Sequence, residues 1–175
     1  MLISAHAGYP EWLDSGADFI EIDVRRNDDG IFIVSHDPPK VGIEYTTLDE
    51  VIEAAQGRIG VQLDLKESGY EIELVKSCGP ENLVITTEDI ESIRRIKQAF
   101  PQVRCGLTAR TVERTEADFV SIDQQYVTDE HYPVPIWVWT VDDEKLMRRF
   151  IADPRVECLI TNRPDLAIKL RSARS

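Results

Sequence analysis

Nine short apolar runs punctuate this chain, and most are followed by a stretch of helical periodicity; that alternation is what most limits the folds open to it. The runs fall at 2–6 (LISAH), 19–25 (FIEIDVR), 31–35 (IFIVS), 60–66 (GVQLDLK), 83–87 (LVITT), 103–108 (VRCGLT), 118–122 (DFVSI), 135–141 (PIWVWTV) and 156–161 (VECLIT). Helical patterns occupy 47–56, 70–77, 89–99, 142–152 and 164–172. Repeated strand–helix units imply a parallel sheet. If IFIVS folds back on FIEIDVRR through the turn NDDG, it is a hairpin arm, and eight strands remain. Eight parallel strands alternating with helices predict an α/β fold, a compact closed (β/α)8 (TIM) barrel with one short hairpin strand after strand two. At 175 residues the chain suffices for one domain over 1–175 with a real core. It is short of the roughly 250 residues typical of such barrels. Some helices must therefore shrink to a turn or two, after strand one (YPEWLDSG) and around TVERTEA and TDEHYP. An open doubly wound sheet is the alternative. The absence of GxGxxG and GxxxxGKS loops weighs against its common versions.

Local signals support the helices. Thr47 and Glu50 form the pattern of a capping box. Asp142 is the candidate cap of the helix at 142, with Lys145 where the box would want an acid.

The strand FIEIDVRR poses a chemical problem. Residues two apart in a strand share a face, so Ile20, Ile22 and Val24 point one way and Glu21 and Asp23 the other. In a barrel the apolar set meets the outer helices and the acids point inward, near the C-terminal end where barrel active sites lie. GVQLDLKE repeats the pattern: Val61, Leu63 and Leu65 outward, Gln62, Asp64 and Lys66 inward. At about 4 Å and an effective dielectric near 20, each like-charge pair costs roughly 4 kcal/mol. Glu21, Asp23 and Asp64 held together thus need an offset from protons, Lys66 or a divalent cation. An all-oxygen set favours Mg²⁺ or Ca²⁺ over zinc. In the plainer arrangement Lys66 pairs with Asp64 and the rest is solvated at the rim.

Of three histidines, His6 ends strand one and His36 follows the hairpin strand, both beside the acid strands. Two imidazoles so placed can serve as acid and base in one reaction. His131, in DEHYP, is read as a surface-loop residue without a role. Trp137 and Trp139 also suit simple core filling, RRIKQ at 94–98 a solvated helix face, and Asp123 and Gln124 a position at the pocket's edge.

The net charge of −12 argues against nucleic acid or an anionic membrane as a bulk partner. An anionic substrate would need local positive charge. Three dispersed cysteines (Cys78, Cys105, Cys158) form no CxxC pair, which speaks against a zinc site or a disulfide framework. The N-terminal MLISAHAGYP has neither a basic n-region nor a long apolar run, so neither a signal peptide nor a transmembrane segment is expected, and a cytoplasmic location is. Disorder is expected only in the closing RSARS.

Taken together, HAG (6–8), EIDV (21–24), DG…SHD (Asp29, Gly30, His36, Asp37), DLK (64–66), WTV (139–141) and the closing ECLITNRPD resemble the glycerophosphodiester phosphodiesterases almost end to end. The resemblance implies a barrel phosphodiesterase with a divalent metal. Glu21, Asp23 and Asp64 would be its ligands, and His6 and His36 the general acid and base. Lys66 would steady the phosphate and Trp139 line the pocket. Ala7 stands where the family has a phosphate-contacting arginine, Asp64 replaces a glutamate, and the family's insertion after HD and its ENT element are missing. The arginine and aspartate departures resemble the sphingomyelinase D and phospholipase D toxins, which are secreted and carry disulfides. The expected activity is metal-dependent hydrolysis of glycerophosphodiesters or lysophospholipids. A non-catalytic barrel that binds a phosphate ligand or a partner is the alternative, and a metal-dependent aldolase or isomerase ranks last.

Overall fold

The computed structural model describes residues 1–79, 81, 83–111 and 115–173. Its strands are β1 (Leu2–Ala5), β2 (Phe19–Arg26), β3 (Phe32–Val34), β4 (Gly60–Leu65), β5 (Leu83–Thr87), β6 (Arg104–Thr108), β7 (Phe119–Asp123), β8 (Ile136–Trp139) and β9 (Val156–Thr161). Eight of them are parallel neighbours in the order β1-β9-β8-β7-β6-β5-β4-β2. The pairings Ser4↔Phe19 and Ala5↔Ile20 then join β1 to β2 and close the ring. That closure excludes the open sheet. β3 hangs on β2 as the antiparallel hairpin arm, with Val24 opposite Val34. Asn27 Oδ1 accepts from the amides of Asp29 and Ile31, and Gly30 takes the left-handed conformation at φ 83° that the turn requires.

The described helices are α1 (Leu48–Ala55), α2 (Glu71–Cys78), α3 (Ile90–Ala99), α4 (Glu144–Ala152) and α5 (Pro164–Ser172). As the length demanded, the link after β1 is a series of turns, and the link after β7 holds a single 3-10 turn, Gln124–Tyr126. The TVERTEA turn falls partly on 112–114, outside the described residues, as do Arg174 and Ser175 of RSARS; the rest of that tail lies in α5 and at its cap. Thr47 caps α1 in a full capping box with Glu50. The cap of α4 is Asp143, not Asp142: the Asp143 side chain accepts from Leu146 N at 2.9 Å. Asp142 is drawn away by three donors at the end of β9, described below.

The core has two layers. Ile20, Ile22, Val24, Leu63 and Leu65 pack outward against Leu48, Val51 and Leu74 of the helices. Inside, Phe119 stacks on Trp137 with ring centroids 4.2 Å apart, and Phe19 leans on the same indole at 5.6 Å. Below them Glu157 accepts from Trp137 Nε1 at 2.7 Å and Arg104 at 2.8 Å. Gly106 makes this stack possible, because a Cβ there would lie 2.2 Å from the Phe119 ring. The interior is thus plugged by rings toward the strands' N-terminal ends, and open space remains only toward the other end. Among the described residues no helix is long and apolar enough to cross a membrane.

Candidate active site

A cavity of about 260 Å³ opens at the C-terminal ends of the strands; its lining includes His6, Glu21, Asp23, His36, Asp64, Lys66 and Trp139. All seven residues singled out from the sequence therefore meet in one place. Asp123 and Gln124 are not among the lining residues: Asp123 caps the 3-10 turn through Gln125 N, and Gln124 donates to the carbonyl of Thr140. Trp137 is core, His131 is exposed, and Arg94, Arg95 and Gln98 of RRIKQ lie on the exposed face of α3.

The three acids are brought together by register. Asp23 of β2 pairs side by side with Asp64 of β4, and Glu21 sits two residues below on the same face. One oxygen from each of Glu21, Asp23 and Asp64 lies within 4.8 Å of the others. Glu21 is only 5% exposed and accepts from Ala7 N at 3.0 Å. Burial, and next the charge of Asp23, push its carboxyl up to about 8 against that N–H bond. Burial likewise raises Asp64, opposed by Lys66 and Thr86, whose hydroxyl donates to Asp64 Oδ1 at 2.7 Å.

Lys66 lies between the two aspartates, 2.8 Å from Asp23 Oδ1 and 2.5 Å from Asp64 Oδ2. Burial works against its charge, but the two carboxylates outweigh burial and lift its pKa above the ordinary lysine value. The pairing of Lys66 with Asp64 anticipated for a salt-bridge cluster is thus present, together with a cavity.

His6 is held through its ring. Its Nδ1 lies 2.9 Å from Asn162 Oδ1, while Asn162 Nδ2 donates to Asp142 Oδ2 at 2.7 Å. Since the amide nitrogen is committed to a carboxylate, the amide oxygen must accept, and His6 carries its proton on Nδ1. Nε2 is left to face Glu21 Oε2 at 4.0 Å. Asp142 also accepts from Asn162 N at 2.8 Å and Thr161 Oγ1 at 3.0 Å. Although burial opposes its charge, these bonds hold the Asp142 carboxyl below the usual carboxylate range. Sequence reading assigned no role to Asn162 and made Asp142 a helix cap. A signal for Asn162 was present in its place just after the last strand, where a barrel gathers its polar groups.

Ala7 adopts φ 46°, and its amide bonds Glu21. Ala7 thus contributes a backbone donor to the acid cluster and no side-chain cation.

No protein-family model matches the chain, and no curated protein matches it. Solved structures do. A glycerophosphodiester phosphodiesterase from Parabacteroides distasonis superposes with a TM-score of 0.84 at 18% identity, covering 99% of this chain and 97% of that one. An Oleispira antarctica phosphodiesterase in complex with its product sn-glycerol-3-phosphate gives 0.83 at 16% identity, covering 98% and 97%. A glycerophosphodiester phosphodiesterase from Agrobacterium tumefaciens gives 0.73 at 21%, covering 98% and 99%. With its ring of eight parallel strands and its cavity at their C-terminal ends, the chain has the fold that these phosphodiesterases share.

Proposed function

We propose that the chain, as one domain over 1–175, is a metal-dependent phosphodiesterase that hydrolyses glycerophosphodiesters or lysophospholipids. The products would be a phosphate monoester, or a cyclic phosphate where a substrate hydroxyl attacks, and an alcohol. The observation that carries this reading is the convergence of two histidines, three carboxylates and a lysine on one cavity. A cation with oxygen ligands at about 2.0–2.6 Å spans ligand pairs up to about 5 Å apart. The Glu21, Asp23 and Asp64 oxygens, within 4.8 Å, fit that size, and their hard-oxygen chemistry fits Mg²⁺ or Ca²⁺. When bound, such an ion would neutralise phosphate charge and stabilise the charge that develops in the transition state.

The chain's own groups do the rest. The bare Nε2 of His6 suits it to take the proton of the attacking hydroxyl as the new phosphorus–oxygen bond forms. His36, exposed to solvent, returns a proton to the alkoxide that leaves as the old bond breaks. Lys66 is placed to contact the phosphate, and Trp139 gives the cavity an apolar wall. Three free thiols, Cys78, Cys105 and Cys158, suit the reducing cytoplasm.

The test is hydrolysis of glycerophosphocholine, glycerophosphoethanolamine and lysophosphatidylcholine with Mg²⁺, with Ca²⁺ and with chelator. Metal-dependent turnover that disappears in His6→Ala and His36→Ala is expected. A second reading, a non-catalytic barrel, is favoured by the way Lys66 already neutralises Asp23 and Asp64. A folded protein that hydrolyses none of the three under any condition would replace the enzyme with that reading.

A further inference from the structure

The cavity wall facing the histidines carries polar groups that the chemistry above does not use. Glu88, Thr108 and Ser121 all line the cavity. Thr87 of β5 pairs with Leu107 of β6, which sets Glu88 beside Thr108, and Thr108 pairs with Ser121 of β7. Around the ring β6 lies four strands from β1 in either direction, so this row stands opposite His6. Thr108 Oγ1 is buried and has no hydrogen-bond partner among the described residues. Glu88 is exposed at the cavity mouth, and its carboxylate enters no hydrogen bond or ion pair among the described residues. The buried Thr108 hydroxyl lacks a partner, and beside it Glu88 presents a solvated carboxylate, so the two together offer acceptors and a negative charge to a ligand that brings donors.

We propose that this row binds the alcohol part of the diester and selects a headgroup that ends in a primary ammonium. The proposal rests on reading the cavity as a phosphodiesterase site. An ammonium brings three N–H donors and a positive charge. Glu88 accepts one donor and balances the charge, and the Thr108 and Ser121 hydroxyls accept the others. A trimethylammonium carries the charge without donors, a glycerol headgroup carries donors without the charge, and an anionic headgroup meets Glu88 as a like charge.

The experiment compares kcat/KM for glycerophosphoethanolamine, glycerophosphocholine and glycerophosphoglycerol, with Mg²⁺ and with Ca²⁺, in the wild type, Glu88→Gln and Thr108→Val. Calorimetry on His36→Ala, with and without Glu88→Gln, measures binding of the same three. The ethanolamine diester should lead by roughly 5- to 10-fold. Glu88→Gln should reduce it more than the other two, and Thr108→Val should narrow its lead. Absence of that lead in the wild type, or a lead that survives Glu88→Gln, overturns the proposal. If no diester is hydrolysed, the phosphodiesterase reading fails, and the same ranking in binding still decides the subsite.

Discussion

The guanidinium of Arg25 donates to the backbone carbonyl of His36 at 2.9 Å and to Glu67 at 2.7 Å. The two histidines are thus fixed in different ways. His6 is held by its ring, through Asn162. The His36 side chain is 74% exposed, with Nδ1 3.2 Å from Asp37 Oδ1, and its backbone is what Arg25 secures. Arg25 itself is only 15% exposed. Its truncation should therefore displace the His36 loop more than it disturbs the barrel.

Arg25→Ala is expected to lower kcat about 10-fold, since a displacement near 1 Å in a reacting group costs that much or more. The melting temperature should change little by comparison. Steady-state kinetics with thermal denaturation on the same sample checks both. A kcat equal to the wild type would separate Arg25 from His36.

Asn162→Ala frees the His6 ring and removes the side-chain amide donor to Asp142 Oδ2, while the backbone N–H of residue 162 stays. If the amide fixes the tautomer, kcat should fall roughly 10- to 100-fold with KM little changed. The imidazole should also change its tautomer balance, readable in ring nitrogen shifts by NMR. Retention of the Nδ1–H form in Asn162→Ala would remove the assigned role.

Glu21 predicts the pH response of the metal-free protein. Its carboxyl titrates from an ordinary 4.5 when unfolded and from about 8 when folded. Below the unfolded value both states hold the proton and there is no penalty. As pH rises toward 8 the unfolded chain releases its proton first, so folded stability is lost over that window. In chelator, melting temperature should fall between about pH 5 and 8, and Glu21→Gln should flatten the fall. Mg²⁺ or Ca²⁺ should raise the wild type most at the upper end. A pH profile that Glu21→Gln leaves unaltered would show the acid cluster to be unstrained.

Gly106→Ala tests the plug of the barrel. The added Cβ meets the Phe119 ring at 2.2 Å, and that ring cannot retreat from Trp137, 4.2 Å behind it. Overpacking of this kind costs about 2–3 kcal/mol, or roughly 5–10 °C in a domain of this size. Differential scanning calorimetry reads it. An unchanged melting temperature would mean that the stack yields.

Much of this is legible in the chain alone, and the reason is periodic. A barrel strand repeats every two residues, so Glu21, Asp23, Asp64 and Lys66 declared their common face in the chain itself. The helices declared themselves by caps and apolar spacing, as Thr47 and Glu50 did. What stayed hidden depends on closure. Asn162 is 156 residues from His6, and no local pattern joins them. Asp142 was misread for a related reason: Asp142 and Asp143 are both good caps, and only the end of β9 decides which one is drawn away. Arg25 and Thr108 read as ordinary strand residues, because their partner, or the lack of one, is a fact of neighbouring elements.

The pairing of β1 with both β2 and β9 has a kinetic meaning as well. His6 stands at the end of β1, and Asn162, which sets its proton, follows β9. Local strand–helix units can form early, but contacts of such sequence separation carry the largest loop-closure cost and come late. Refolding should therefore recover helix signal before the His6–Asn162 contact, and turnover last of all. For this chain the final act of assembling the barrel and the first moment of competence would be one event.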